Sequence, residues 1–415
     1  MYSKIVAALD GSDLSRRAGE WALAAAAAGG AEVIACHIYG AGLHGQRFRE
    51  MEPGLPEPYR EPSVLRGLRE AHDGLIARGF QSLSEGYLDA FVAAARAAGV
   101  RVSVAAEEGR NYVRLLELAR RAGAGLIALG AAGLGDVGDG QLGSTAARVL
   151  RQAPCDVLIA RAARPRGPVV AGIDGSEAAL ESARRAAAWA RRLGRPLHLA
   201  AAYDPVFHTT VFRAMARTLS AARSEDVGLA RQESLHDEII NDGLGKLYQG
   251  FLDDARQHVL EVAVEPHAAL LQGKAYVCVG DYARGHAADL LVVGRFGHHR
   301  ENGSDLGATA EAVARLAPTS VLVTGGAGHG SAGPSAAASA AAVGYPQGAA
   351  AEQPRDASAL EWDADALARL ERVPSFVRPM ARQAIEREVR AKGGRRVTQD
   401  DFEEVARRFG MGGRG

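Results

Sequence analysis

A displacement of 164 positions carries the first half of residues 1–325 of this 415-residue chain onto the second. Asp10 returns as Asp174, Gly130 as Gly294 and Gly143 as Gly307. Between these landmarks the register holds: residues 33–39 fall against 197–203, Gly109-Arg110 against Gly273-Lys274, Tyr112-Val113 against Tyr276-Val277, and Pro154 against Pro318. One offset kept over that length means one domain written twice, over residues 1–163 and 164–325. The fold must therefore be complete within one copy. Its chemistry should sit where the shared landmarks converge, and differences between the copies should show which copy performs it.

Each copy opens with a buried-strand pattern, Ile5-Val6-Ala7-Ala8-Leu9 or Val169-Val170-Ala171-Gly172-Ile173, closed by Asp-Gly-Ser turn chemistry. An alanine-rich helix follows, stopped at Gly29-Gly30 or Gly194, and then a second strand that ends at Tyr39 or Tyr203. Strand, helix, strand makes a right-handed βαβ unit. Beyond a polar, helical stretch come further strands near 100–104, 126–129 and 157–159, with helices between. The alternation predicts an α/β fold: two tandem Rossmann-like domains, each a parallel sheet covered on both faces. Apolar edges near 157–159 and 321–323 would pair the halves as an internal pseudo-dimer.

Composition excludes several classes. Lys and Arg number 49, as do Asp and Glu, so total charge argues for neither nucleic acid nor an anionic membrane as partner. No apolar run has the length of a membrane span, and no cationic leader precedes the first strand, so a cytoplasmic location is expected. Cys36, Cys155 and Cys278 are dispersed and read as buried thiols rather than a disulfide frame or metal site.

From 326 to 358 the chain turns to Ala, Gly, Ser and Pro, too poor in large apolar residues to offset ordering entropy, and reads as a flexible linker. Over 359–412 a small three-helix module is expected. Trp362, Ala366, Leu367 and Leu370 form one helical stripe, and Phe376, Val377, Met380, Ala384 and Val389 a second, broken by Gly393-Gly394. Thr398 with Asp401 forms a capping box that opens a third helix carrying Phe402, Val405 and Phe409.

The sharpest local signal is Gly130-Ala131-Ala132-Gly133, nine residues, then Gly143-Ser144-Thr145, set between a strand and a helix. Glycines permit close backbone approach, and a helix start offers free amides and a positive dipole end, so the loop can hold a phosphate. The alternative is a purely structural turn. Asp10 ends the strand beside the loop and reads either as a ligand for a nucleoside or as an Asx turn former. The repeated histidines, His44 with His208 and His72-Asp73 with His236-Asp237, lack metal-ligand spacing and read as surface or capping residues. The sequence holds no nucleophile elbow or Walker lysine, and nothing assigns catalysis.

The opening strand with Asp10, the loop from Gly130 to Ser144, and the closing Ala153-Pro154-Cys155-Asp156-Val157-Leu158-Ile159 resemble the universal stress protein family, duplicated in tandem. The resemblance implies an adenine nucleotide alpha hydrolase-like fold, and the loop is that of the branch that binds ATP. It would place Asp10 on the adenosine, Ala7 and Ile38 around the base, and Gly130, Gly133, Gly143, Ser144 and Thr145 on ribose and phosphates, with or without Mg2+. A second site would use Asp174, Gly294, Gly297, Gly307 and Thr309. There Ala308 replaces the hydroxyl residue, while Arg295, His298, His299 and Arg300 add positive charge where the first loop has Asp136 and Asp139. The first copy is favoured, because amide and hydroxyl geometry fixes a phosphate more specifically than mobile surface charge.

The family implies a nucleotide-dependent sensor or regulator in stress response that pairs through its last strands, as a homo-oligomer or internally. Two other readings stand beside it: an ATP-hydrolysing or phosphate-transferring enzyme, with Asp136 and Asp139 as its only local candidates, and an adaptor that binds no nucleotide. The tail, with Trp362, Val373-Pro374-Ser375-Phe376-Val377-Arg378, Ile385-Glu386 and Val397-Thr398, resembles the C-terminal domain of the B subunit of dark-operative protochlorophyllide reductase. That reductase's catalytic body has no counterpart here. The resemblance implies a helical cap for a protein partner or flat hydrophobic ligand, against the plain alternative of a bundle with Trp362 and Phe376 as core.

Overall fold

Ten strands form one sheet in the order β3-β2-β1-β4-β5-β10-β9-β6-β7-β8. The computed structural model describes residues 1–27, 30–135, 141–161, 166–205, 241–260, 265–297, 306–325 and 360–372, with 382, 385–386, 388–390, 392 and 394–408. The first repeat runs β1 (Lys4–Ala8), α1 (Asp13–Ala26), β2 (Glu32–Tyr39), α2 (Ala41–Met51), α3 (Pro62–Ala97), β3 (Arg101–Glu108), α4 (Asn111–Ala122), β4 (Leu126–Gly130), α5 (Ser144–Gln152) and β5 (Asp156–Ala160). The second runs β6 (Val169–Ile173), α6 (Glu177–Leu193), β7 (Leu197–Tyr203), α7 (Asn241–Leu260), β8 (Pro266–Gln272), α8 (Ala275–Gly285), β9 (Leu290–Gly294), α9 (Ala308–Leu316) and β10 (Ser320–Thr324). Both repeats thus have the same strand order, and the strands within each are parallel.

The expected pairing of the halves is present. β5 and β10 run antiparallel, with Val157, Leu158 and Ile159 opposite Val323, Leu322 and Val321. All six side chains are fully buried. Each contributes on the order of 1.5–3 kcal/mol relative to exposure, and the pairing satisfies the backbone groups of both edges. Above the junction Trp21 of α1 meets Trp189 of α6 edge to face, ring centroids 5.5 Å apart.

The repeated Asp-Gly-Ser explains how each first helix starts. Gly11 and Gly175 both take φ +80°, which an L side chain rarely adopts. Ser12 and Ser176 then cap α1 and α6, each accepting from a backbone amide three residues on at 3.1 Å. α6 ends as expected at Gly194 in the left-handed conformation.

The C-terminal residues belong to a separate compact unit. It contains β11 (Glu361–Trp362), α10 (Ala364–Arg372), β12 (Arg396–Val397) and α11 (Gln399–Arg408). Ala366, Leu370, Ile385, Val389 and Val397 are buried. The capping box is formed: Thr398 N and Oγ1 donate to Asp401 Oδ2 at 2.9 and 2.7 Å. Two expectations are corrected. Trp362 lies on a parallel two-stranded ribbon with β12 rather than on a helix, and its indole donates to Glu386. Leu367 is 40% exposed, since the α10 stripe that packs is Ala366 and Leu370. The linker at 326–358, Phe376, Val377, Met380, Ala384 and Phe409 lie outside the described residues, as do the surroundings of the Val405 side chain.

Candidate functional site

Strand order reverses between β1 and β4, which are direct neighbours, and open parallel sheets bind ligands outside the carboxyl ends of strands at that point. Asp10 leaves β1 there and the glycine loop leaves β4. Between them opens a cleft of about 890 Å³, lined by Asp10, Ile38, Gly130, Gly133, Gly143, Ser144 and Thr145 among others. Ala7 is fully buried and is not among the lining residues; Ala8 and Leu9 are.

Asp10 forms the Asx turn and keeps its second carboxylate oxygen over the loop. Its Oδ1 accepts from Ser12 N at 3.0 Å and Ser12 Oγ at 2.5 Å, an Asx turn that sets up the cap of α1. Its Oδ2 has no hydrogen-bond partner among the described residues and faces Gly133, where a Cβ would come within 2.5 Å of it. Gly133 is small so that this carboxylate can sit over the loop.

The amide of Gly143, expected to face a phosphate, instead donates to Ala131 O at 2.7 Å. Gly143 shapes the loop, since a Cβ there would lie 3.3 Å from Ala131 O and Ala132 Cα. The free donors are its neighbours. Among the described residues the amides of Ala132, Gly133, Ser144, Thr145 and Ala146 have no acceptor. The last three open α5, where orphan donors and the positive helix end coincide.

The opposite wall is aromatic and was not legible as a wall. α3 brings Phe80, Leu83 and Tyr87 to the cleft. Tyr39 stacks on Phe80 with centroids 5.6 Å apart, His44 lies 5.3 Å from Phe80, and Tyr87 meets His37 edge on at 5.2 Å. His44 is exposed, as expected of a surface residue, and also lines the cleft, because α2 folds back against α3. The signal in the sequence was the spacing Phe80, Ser84, Tyr87, Phe91, which puts these side chains along one helical face. His37 is 8% exposed, and burial lowers its pKa, opposed by the charge of Asp10. His72 stacks on Phe48 away from the cleft lining, as a structural residue.

The second repeat keeps the turn and the two ends of the loop that are described. Asp174 Oδ1 accepts from Ser176 N and Oγ at 3.0 and 2.6 Å, a Cβ on Gly297 would lie 2.6 Å from Asp174 Oδ2, and Gly307 N donates to Arg295 O at 2.9 Å. The amides of Ala308, Thr309 and Ala310 have no acceptor among the described residues. Arg295, expected to favour phosphate here, is only 3% exposed and donates to Gly325 O at 2.5 Å and Arg151 O at 3.1 Å. Its charge serves the junction of the halves. Residues Asp136, Asp139, His208, His236, Asp237, His298, His299 and Arg300 lie outside the described residues.

Burial pushes the Cys36 and Cys155 thiols up to about 12, so both stay protonated and inert, whereas Cys278 is half-buried with Sγ 3.4 Å from Gln272 O. Among the described residues no three His, Cys, Asp or Glu side chains are arranged to hold a metal, and no helix is long and apolar enough to cross a membrane.

The profile of the Universal stress protein family matches residues 1–161 and again 165–325. That of the Proto-chlorophyllide reductase 57 kD subunit matches 362–405. A relative from Thermus aquaticus, the universal stress protein in the QAH/OAS sulfhydrylase 3' region, is 32% identical over 161 residues, 39% of this chain and 100% of that protein. Among solved structures, a functionally unknown protein from Pseudomonas aeruginosa PAO1 is 17% identical with a TM-score of 0.45, covering 79% of this chain and 93% of its own. A universal stress protein from Archaeoglobus fulgidus is 15% identical with a TM-score of 0.43 over 78% and 98%. A universal stress protein solved in complex with cAMP is 24% identical with a TM-score of 0.27 over 38% and 96%. With two family matches spanning most of its length, on a sheet whose halves repeat one strand order, the chain belongs to the universal stress protein family, as a tandem member whose C-terminal segment is similar to a protochlorophyllide reductase subunit.

Proposed function

We propose that the first repeat binds ATP and that the protein acts as a nucleotide-dependent sensor or regulator. The observation that carries this is the meeting, in one cleft, of unpaired amides at the start of α5, the free oxygen of Asp10 and an aromatic wall. Amides of Ser144, Thr145 and Ala146 suit phosphate oxygens, Asp10 accepts from a ribose hydroxyl or base amino group, and Ile38 with the rings covers an apolar base face. Mg2+ would enter with the nucleotide and offset its charge, since among the described residues no three His, Cys, Asp or Glu side chains are arranged to hold it. We place the protein in the cytoplasm, where its three free thiols remain reduced. The module at 360–408 would present the bound state to a protein partner, and further pairing into a homo-oligomer is part of this reading.

Calorimetric titration tests it. The parent should bind one ATP per chain, with Mg2+ altering affinity but not stoichiometry. Ser144→Pro removes one amide and the hydroxyl at a helix position that tolerates proline, and the extended Gly143 is compatible with it. The loss should be about ten- to a hundredfold, the value of a hydrogen bond or two to a charged group. Gly143→Val should abolish binding and Gly307→Val should leave it. Absence of heat from the parent would end the nucleotide reading. Identical hydrogen exchange of 360–408 with and without ATP would end the signalling part alone.

A further inference from the structure

The hydroxyl of Ser84 donates to the Phe80 carbonyl at 2.7 Å, one turn back along α3, and Ser84 Oγ lies 2.7 Å from Nδ1 of His37. Both His37 and Ser84 are buried. A hydroxyl has one proton. Were it turned to Nδ1, Oγ would meet the Phe80 oxygen lone pair against lone pair. The arrangement that satisfies both contacts has Ser84 giving to Phe80 and accepting from His37, which places the ring proton on Nδ1. A neutral ring so fixed leaves Nε2 able only to accept. Burial lowers the pKa of the ring against the pull of Asp10, which favours the neutral form. His37 lines the cleft beside Ile38, and its Nε2 has no partner among the described residues.

We propose that His37 determines base specificity in the cleft: its Nε2 accepts a hydrogen bond from the exocyclic amino group of a 6-aminopurine, and it disfavours a 6-oxopurine. This rests on the cleft being a nucleotide site. A 6-oxo group would set acceptor against acceptor in a partly desolvated place, and sites built to pair a polar group reject the analogue that cannot. Ser84 is a positioning residue that fixes the tautomer through the Phe80 carbonyl. The pair belongs to the first repeat, since Ala201 and Tyr248 stand at the same places in the second.

The test is titration of the full chain with ATP and inosine triphosphate, which differ in the group on C6 and in the proton that the 6-oxo base carries on N1. The parent should bind ATP about tenfold or more tighter. His37→Ala should bring the ratio close to one, and Ser84→Ala, which lets the ring proton move to Nε2, should shrink it several-fold. The imidazole 15N spectrum of the unliganded parent should show a protonated Nδ1 and an unprotonated Nε2 for His37, a readout that needs no nucleotide. Equal affinities in the parent, or a ratio unmoved by His37→Ala, would overturn the proposal and leave the ATP site standing. Binding of neither nucleotide would remove both. A ring protonated on Nε2 would overturn it whatever the affinities.

Discussion

The two repeats agree in the turn and at the described ends of the loop and part company around them. Asp10 and Asp174 make the same Asx turn with the same 3.0 Å amide bond, and Gly133 and Gly297 give way to them equally, at 2.5 and 2.6 Å. The surroundings diverge: His37 and Ile38 become Ala201 and Ala202, and Tyr87 becomes Phe251. Residues common to both copies are needed to start a helix and close a loop, so their repetition reports folding as much as binding. Only side chains found in one copy can make the two clefts differ in what they hold. The junction shows the same asymmetry in reverse. Arg192 of α6 donates to Ala24 O, at 3.0 Å, and Ala25 O at the end of α1, while Arg295 reaches Arg151 O at the end of α5. The matching positions of the first repeat hold Ala28 and Ala131.

The comparison breaks most sharply at the glycines under the two carboxylates. Gly133→Ala pushes a methyl against Asp10 Oδ2, and should weaken ATP binding about a hundredfold, near 2.8 kcal/mol. Gly297→Ala does the same to Asp174 and should leave ATP affinity unchanged. Equal losses in calorimetry would mean that both repeats bind.

Where the copies agree, equal effects are expected. Gly11→Ala and Gly175→Ala each force a side chain to φ +80° and into the ring of Tyr87 or Phe251. Each should cost about 2–3 kcal/mol of stability, read as the drop in urea midpoint. A much smaller loss in one copy would show that its turn is not a folding element. Arg192→Ala comes next, at about 1 kcal/mol, because it removes a charged cap at a partly exposed helix end. A thermal midpoint within error of the parent would show that this arm does not hold the halves together.

Much of the fold was legible because duplication gave every pattern twice. The short apolar runs, the Asp-Gly-Ser turns and the pairing of 157–159 with 321–323 all follow from burial and turn chemistry read locally. Gly143 was misread because glycine at a helix start suggests an open amide, whereas a neighbouring carbonyl takes that donor. The aromatic wall was missed for a different reason. Phe80 and Tyr87 lie far along the chain from the loop, and only the course of the long α3, whose first two-thirds are mostly exposed, brings them to the cleft. Arg295 misled because its charge is visible in sequence and its burial is not. Trp362 lies on a two-residue strand, too short for periodicity to separate from a helical stripe.

The smallest effect concerns a histidine group that the second repeat alone has. His198 on β7 lies opposite His267 on β8, and Nδ1 is 3.0 Å from Tyr282 Oη, with the His267 and His286 rings at 5.0 and 5.3 Å. In the first repeat these four places hold Ile34, Ser103, Leu118 and Ala122. Burial lowers the pKa of His198 from 6.5, and the charges of His267 and His286 lower it further. The unfolded chain therefore takes up a proton at His198 before the folded one does. Stability from this group is full above pH 6.5 and is lost as pH falls from there through the lowered folded value. His198→Ile, which copies the first repeat, removes that loss. Between about pH 7.5 and about pH 5.5 the parent should lose roughly 2 °C more in thermal midpoint than the variant. Parallel pH profiles for the two proteins would show that the imidazole is solvated like a surface group, and that here the repeats differ in sequence without differing in their response to protons.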